Sequence, residues 1–261
     1  MTDGLSASSI SAGLGTELIG RKVIYRSRVA STMDEARREA RQGAAAGTVI
    51  VADEQTAGRG RIKRLWLTPG GNIALSVILY PEITSLPYLI MMASLAVSYS
   101  IEAVTGLAAQ IKWPNDVLIN GKKVCGILVE SDVRRGGVAY AIIGIGVNVA
   151  LLPSDYPEIE TTATSLAAET GGEVSRLAVI RRLLVEMDRL YQSLPGGGAV
   201  YEQWRQRLVT LGRRVRVVSG SEVLEGIAES VAAEGSLLLR RADGSTTMIV
   251  AGDVTLRETK G

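Results

Sequence analysis

The sequence contains no histidine, and Cys125 is its only cysteine in 261 residues. Without histidine, neither a Ser-His-Asp nor a Cys-His catalytic arrangement can form. A zinc site is nearly excluded, because histidine and cysteine are the usual zinc ligands. A single cysteine cannot form an internal disulfide, which fits a reducing cytoplasm. Any chemistry must therefore rely on Lys, Arg, Asp, Glu, Ser, Thr, Asn or Gln side chains.

Two further absences concern nucleic acids and membranes. The formal net charge is only +2, whereas a protein that coats duplex DNA is usually more basic. The first 20 residues lack the basic start and apolar core of a signal peptide. Residues 83–101 carry no charge, but Pro87 and several Ser and Thr residues favour a buried helix that begins near Pro87 over a membrane span. We therefore expect a cytoplasmic protein with neither a membrane nor a DNA partner.

Hydrophobic spacing and turn signals predict an α+β domain followed by a small β domain. Residues 1–20 are small and polar, and we expect a mobile leader, too short for a helix-turn-helix domain. Residues 21–207 combine strands and helices, whereas residues 210–258 contain five short segments typical of strands in a small barrel. The predicted helices cover 31–43, 87–105 and 177–191, and the predicted strands of the first domain cover 48–55, 72–79, parts of 111–130, and 138–150.

The loop EQTAGRGRIKRLW, residues 54–66, is dense in cations: four of the six residues from Arg59 to Arg64 are basic. Glycine permits close backbone approach, and two guanidiniums can converge on one anion. By itself the loop has three interpretations: a solvated basic loop, a phosphate-binding segment for RNA or DNA, or a small-molecule anion site with Trp66 as an apolar face. A nucleic-acid segment normally has repeats and stacking aromatics, whereas this loop is a single copy in a chain with 4% aromatics.

Two other segments bear on these alternatives. In KWPND, the proline forces the preceding residue towards extended backbone, so Lys112, Asn115 and Asp116 cluster in a turn. Lys123 enters the apolar strand VCGILVE, either as an ordinary edge residue or as a cation near a reacting phosphate. No GxxxxGK[ST] segment is present, and GIGVN at 144–148 does not complete GxGxxG, so a nucleotide would not be held by a P-loop.

Several segments together resemble the biotin protein ligases, in that family's order and at similar spacings. These segments are Ser31-Thr32, QTAGRGR at 55–61, KWPNDV at 112–117, KVCGILVE at 123–130 and GIGVNV at 144–149, with a tail from LGRRVRV to AGDVTLRE that is similar to the family's SH3-like barrel. The resemblance covers residues 21–258. It implies a mixed-sheet catalytic domain of the biotin/lipoate ligase type (class II synthetase-like) and an SH3-like β-barrel, in a member of the type without an N-terminal DNA-binding domain.

The resemblance implies a two-step reaction in one site. Biotin and ATP form biotinyl-5′-AMP and pyrophosphate. A lysine of a biotin carboxyl carrier protein or domain then attacks the mixed anhydride, which gives an amide and AMP. Mg²⁺ is expected with ATP, although no protein metal ligands are apparent in the sequence. We expect a monomer or a weak homodimer.

The same resemblance implies roles for individual residues. Lys123 would lie between the biotin carboxylate and the α-phosphate, Arg59 would belong to a loop that wraps both anions, and Asp116 would orient or deprotonate the incoming lysine. The expected biotin contacts are Ser31, Thr32, Gln55, Gly58, Arg59, Gly60, Arg61, Lys123 and Gly126. The expected ATP or adenylate contacts are Arg59, Arg61, Arg64, Trp66, Lys112, Asn115, Lys123 and Asn148. Ser31 or Thr32 could instead serve chiefly as a helix cap.

Two residues depart from the family's pattern. Lys63 replaces the second glycine of the loop, which could change how the loop closes, and Met33 stands where many members have asparagine. The main alternative function is a lipoate or octanoate ligase or transferase, which shares the catalytic fold. A catalytically silent RNA- or protein-binding module is a further alternative. The Arg-Gly loop, KWPND and the C-terminal barrel favour biotin.

Overall fold

The computed structural model describes residues 4–256 of the chain. Its helices are α1 (Ala7–Ser11), α2 (Thr32–Arg41), α3 (Tyr88–Thr105), α4 (Leu166–Thr170), α5 (Arg176–Gln192) and α6 (Gly198–Gln206). Its strands are β1 (Val23–Val29), β2 (Val49–Gln55), β3 (Ile73–Leu79), β4 (Gln110–Lys112), β5 (Asp116–Ile119), β6 (Lys122–Arg134), β7 (Gly137–Val147), β8 (Arg214–Ser219), β9 (Glu222–Val231), β10 (Leu237–Arg240), β11 (Thr246–Ile249) and β12 (Asp253–Leu256). These elements confirm the predicted α+β class.

The first seven strands form one mixed sheet in the order β1-β2-β3-β7-β6-β5-β4. β1 and β2 are parallel, and the other neighbours are antiparallel. The β5–β6 hairpin turns at Asn120 and Gly121, whose φ angles of 50° and 77° suit a two-residue Asn-Gly turn. Strand β1 is absent from the sequence prediction, because Arg26 and Arg28 interrupt its apolar pattern on a partly exposed edge.

Helices cover both faces of the mixed sheet. On one face, α2 packs through Met33, Ala36 and Ala40 against apolar side chains of β2, β3 and β7. On the other face, α3 packs on the sheet and α5 packs on α3. By length and composition α3 could cross a membrane, but residues from Leu89 to Ile101 along it are buried inside the protein, as in the core helix that the sequence predicts.

Residues 4–20 pack against α5, in contrast to the mobile leader that the sequence predicts. Ile10 is fully buried. The Asp188 carboxylate accepts hydrogen bonds from the backbone N–H groups of residues 17–19 at 2.8–2.9 Å. Arg181 donates to backbone carbonyls at and beyond the end of α1. The polar groups that fix the leader in place come from α5, a helix far away in the chain.

The last five strands form a separate antiparallel sheet in the order β11-β10-β9-β8-β12. They lie inside the segment for which the sequence predicts a small β domain. Trp113 ties this sheet to the first one: its backbone N–H donates to Thr210 Oγ1 at 2.9 Å, and its indole N–H donates to the Gly235 carbonyl at 2.8 Å. Strand β12 of the small sheet contacts the loop between β2 and β3, where Asp253 pairs with Arg64.

Candidate active site

A cavity of about 810 Å³ opens on the α2 face of the mixed sheet. Its walls are the N-terminus of α2, the 59–67 loop, the middle of β6 and β7, the 158–163 segment, and β12 of the small sheet. The residues predicted to bind ligands line this cavity, with the exception of Gly58. They are Ser31, Thr32, Gln55, Arg59, Gly60, Arg61, Arg64, Trp66, Lys112, Asn115, Asp116, Lys123, Gly126 and Asn148. The structure thus brings distant sequence segments to one place.

One end of the cavity carries a chain of hydroxyl and amide groups. The backbone N–H of Thr32 donates to Gln55 Oε1 at 2.9 Å, and the Thr32 hydroxyl donates to the same oxygen at 3.1 Å. Because the Thr32 proton is used there, the Ser76 hydroxyl is the donor in its 2.9 Å contact with Thr32 Oγ1. Thr32 therefore has only acceptor capacity left for a ligand.

Ser31 lies beside this chain with an unsatisfied hydroxyl. It is the N-cap residue of α2, but its side chain makes no capping hydrogen bond, which contradicts the helix-cap alternative for this hydroxyl. Ser31 Oγ is buried and has no partner among the described residues. A buried polar group without a partner costs about 1–3 kcal/mol, so a group that bonds it gains correspondingly. Ser31 can thus donate a hydrogen bond to a ligand, and Thr32 can accept one from it.

The floor of the cavity is bare backbone at three glycines of β6 and β7. Trp66 lies over two of them: a Cβ at Gly146 would lie 2.0 Å from the indole Nε1, and a Cβ at Gly126 would lie 2.8 Å from Cζ3. Met33 covers the third, since a Cβ at Gly144 would lie 2.3 Å from its Sδ. Because these glycines have no side chains, a flat group such as the Trp66 indole can approach the sheet closely.

Gly58 shapes the loop without lining the cavity. A Cβ at this position would lie 2.3 Å from the carbonyl oxygen of Trp66 and 2.9 Å from Gln55 Nε2. The Trp66 N–H donates to the Gly58 carbonyl at 2.9 Å, so the two ends of the loop are hydrogen-bonded to each other here. Gly58 therefore holds Trp66 in position through the backbone.

Lys123 brings a cation to the floor from β6. Its Nζ lies 2.6 Å from Asp116 Oδ1 and 5.2 Å from the centroid of the Trp66 ring. Lys112 Nζ lies 3.7 Å from the second oxygen of the same carboxylate. Two ammonium groups thus share one carboxylate, and the group as a whole is positively charged. Asp116, the predicted proton acceptor, is already paired with two cations.

The arginine loop reaches from the cavity to the small sheet. Arg61 Nη1 donates to Asn115 Oδ1 at 3.0 Å and to the Gly252 carbonyl at 3.3 Å. Burial lowers the pKa of the Arg61 guanidinium from its ordinary value. Arg64 pairs with Asp253 at 2.6 Å. The loop, the KWPND turn and the second sheet therefore meet at Arg61.

Arg59 points instead towards α2 and β6. Its Nη1 lies 3.1 Å from Glu130 Oε1, and its Nη2 lies 3.1 Å from Asp34 Oδ1. Arg37 binds the same two carboxylates, at 2.7 Å from Asp34 and in direct contact with Glu130. Arg59 Nε is buried and has no partner among the described residues. Its terminal nitrogens both pair with carboxylates, and the buried Nε–H group is a donor still available to a ligand.

Sequence reasoning missed one part of the cavity wall, the 158–163 segment. The 158–163 segment is joined to Lys123 through the backbone: the Lys123 N–H donates to the Thr162 carbonyl at 2.8 Å, and its carbonyl accepts from the Thr164 N–H at 2.9 Å. This segment has no apolar period that would predict it, and its threonines are the only signal.

Among residues 4–256, no group of three or more Cys, Asp or Glu side chains is arranged to hold a metal ion.

The fold and the cavity define a two-sheet α+β protein with a hydroxyl-rich end and a cation-rich end in one site. Residues 25–148 match the model of the biotin/lipoate A/B protein ligase family, and residues 210–257 match that of the biotin protein ligase C-terminal domain. The chain belongs to the biotin protein ligase family.

Individual relatives agree with this assignment. The bifunctional ligase/repressor BirA of Bacillus subtilis is 38% identical over 258 residues, which are 97% of this chain and 79% of the relative. The biotin–[acetyl-CoA-carboxylase] ligase of Mycobacterium tuberculosis is 35% identical over 217 residues, 80% of this chain and 78% of the relative. The solved structure of the Aquifex aeolicus biotin protein ligase in complex with biotin and ATP is similar with a TM-score of 0.73 at 29% identity, over 92% of this chain and 100% of that chain.

Proposed function

We propose that this protein is an ATP-dependent biotin protein ligase that forms biotinyl-5′-AMP and transfers biotin to a lysine of a biotin carboxyl carrier protein or domain. The observation that carries the proposal is the pairing of two ends in one cavity. One end has the unsatisfied Ser31 hydroxyl beside the Thr32 acceptor, which suits a cyclic urea with N–H donors and a carbonyl. The other end has Lys123 and Arg61, which suit a carboxylate next to a phosphate.

The chemistry requires two anions to be held side by side. Their Coulomb repulsion is larger where water is excluded, so cations on the floor and on the loop must offset it. Lys123 would serve both anions; its ammonium lies 5.2 Å from the centroid of the Trp66 ring, over the cavity floor. The loop with Arg59 and Arg61 would cover the mixed anhydride and keep water from it. Asp116 would hold Lys123 and Lys112 in place until the acceptor lysine arrives.

The partner and the cellular setting form a further part of this proposal. The acceptor is the biotin-bearing domain of a carboxylase, Mg²⁺ accompanies ATP, and the protein works in the cytoplasm as a monomer or a weak homodimer without binding DNA. The similarity to a ligase named for acetyl-CoA carboxylase supports the carboxylase partner. Sedimentation of the protein with and without biotin and ATP measures the oligomeric state, and chelation of Mg²⁺ measures its requirement.

The first test is biotin-dependent release of pyrophosphate from ATP labelled in the γ-phosphate. We expect release only when biotin, ATP and Mg²⁺ are all present, followed by transfer of labelled biotin to a carrier domain. A carrier in which arginine replaces the acceptor lysine is the matched control and should stay unlabelled. Folded protein that releases no pyrophosphate with biotin, but does so with lipoate, would establish the alternative ligase instead.

A further inference from the structure

Asn72 gathers three backbone N–H groups beside the cavity. Its Oδ1 accepts hydrogen bonds from the N–H groups of Val149, Ala150 and Leu151 at 2.9, 3.1 and 3.0 Å. Asn72 as a whole residue is only 2% exposed, so bulk water cannot readily take its place. These three residues directly follow Asn148, and both Asn148 and Leu151 line the cavity.

Asn72 is itself fixed from several sides. Its Nδ2 donates to the Pro69 carbonyl at 3.0 Å, which closes the turn before β3. Its own carbonyl accepts from Arg176 Nη1 at 3.2 Å, and the same nitrogen lies 2.9 Å from the Asp53 carboxylate. The turn also packs closely against residues 149–151, since a Cβ at Gly71 would lie 3.1 Å from the Ala150 Cβ. The acceptor therefore has a defined position.

The segment lies far from the hydroxyl-rich end. Along the end of β7, Gly144 contacts Met33 of α2, and Asn148 follows after four steps of roughly 3.3 Å, or about 13 Å. There the Asn148 N–H donates to the Val124 carbonyl at 2.8 Å, and its Nδ2 donates to the Thr164 carbonyl at 3.0 Å. Asn148 is thus held next to the strand that carries Lys123.

We infer that Asn72 is a positioning residue for the nucleotide end of the cavity. It sets the backbone of residues 149–151, and through them the places of Asn148 and Leu151, without touching the ligand. This inference rests on the proposed function. A carboxylate oxygen can accept the same three N–H groups but cannot donate to the Pro69 carbonyl, whereas an alanine leaves the three N–H groups without an acceptor.

The experiment compares Asn72→Ala and Asn72→Asp with Asp188→Ala. Asp188 is a matched control because it also accepts three successive backbone N–H groups, but in the leader on α5. Pyrophosphate release gives KM for ATP, KM for biotin and kcat, and thermal unfolding gives Tm. We expect Asn72→Ala to raise KM for ATP about tenfold, in line with one or two net hydrogen bonds lost. KM for biotin should stay within about twofold.

The two companion variants separate positioning from stability. Asn72→Asp should bring KM for ATP below that of Asn72→Ala, because the acceptor is restored, but not to the wild-type value, because the donor to the Pro69 carbonyl is lost. Asp188→Ala should lower Tm and leave both KM values unchanged. If Asn72→Ala fails to fold, Asn72→Ser, whose shorter side chain cannot reach all three N–H groups, carries the same expectation.

Several results overturn the inference. It is wrong if KM for ATP is unchanged in Asn72→Ala, or if both KM values rise together. These outcomes leave the proposed function intact, because the wild type still releases pyrophosphate with biotin. A folded wild type that releases none refutes the proposed function itself, and the role of Asn72 in nucleotide binding is refuted with it.

Discussion

The substitution Lys123→Ala removes the cation from the floor of the cavity. An ammonium about 4 Å from one anion is worth roughly 4 kcal/mol at an effective dielectric constant of about 20. Two anions would double that figure, but Lys123 pairs with Asp116 at 2.6 Å in the free protein, and giving up this pair in order to face the anions would cost about one such interaction. The remaining 4 kcal/mol or so corresponds to about a thousandfold slower adenylation. The fold should survive, because Asp116 keeps Lys112 at 3.7 Å.

The assay is pyrophosphate release at saturating biotin and ATP, with Tm measured in parallel. Lys122→Ala is the matched control, since Lys122 is the neighbouring residue of the same strand and is exposed. We expect wild-type rates from Lys122→Ala and a rate near one thousandth from Lys123→Ala. Lys123→Arg, which keeps the charge but not its position, should fall between them. If folded Lys123→Ala keeps more than about a tenth of the wild-type rate, the electrostatic reasoning fails.

Three further substitutions test other parts of the structure. Arg59→Ala should release biotinyl-5′-AMP into solution faster, because the buried Nε–H donor is lost; unchanged leakage in a filter-binding assay would contradict this. Gly146→Ala should displace the Trp66 indole, which lies 2.0 Å from the new Cβ, and so raise KM for ATP at an overpacking cost of about 1–3 kcal/mol. Ile10→Ala should lower the free energy of unfolding by about 2–4 kcal/mol, measured by urea titration, whereas a mobile leader would show no change.

The sequence predicts well those elements whose signals are local. The apolar helix α3, the Asn-Gly hairpin at 120–121 and the strands of the second sheet each follow from spacing and turn residues within the element. Strand β1 does not follow from them, because its exposed arginines hide the alternation. The anchoring of the leader also depends on Asp188 and Arg181, more than 160 positions away. No local pattern contains that information.

In the candidate site, too, the sequence predicts what depends on local motifs and not what depends on contacts between distant residues. The motifs identify which residues face the cavity, and the structure places nearly all of them there. They do not indicate that Arg59 pairs with Asp34 and Glu130, because ion-pair partners depend on how α2 and β6 are brought together. Nor do they indicate that Asn72 organises the segment after Asn148. Such supporting contacts join residues that are remote in the chain, and a motif records only neighbours.

The docking of the leader on α5 has a practical consequence for attached sequences. Helix α5 packs on α3, and α3 covers the face of the mixed sheet opposite the cavity. A reporter or affinity tag joined to the leader would therefore be attached on the side of the mixed sheet opposite the cavity. The sheet would separate the tag from a carrier domain bound at the cavity. Immobilisation through that end should leave the mouth of the catalytic cleft accessible to a macromolecular substrate.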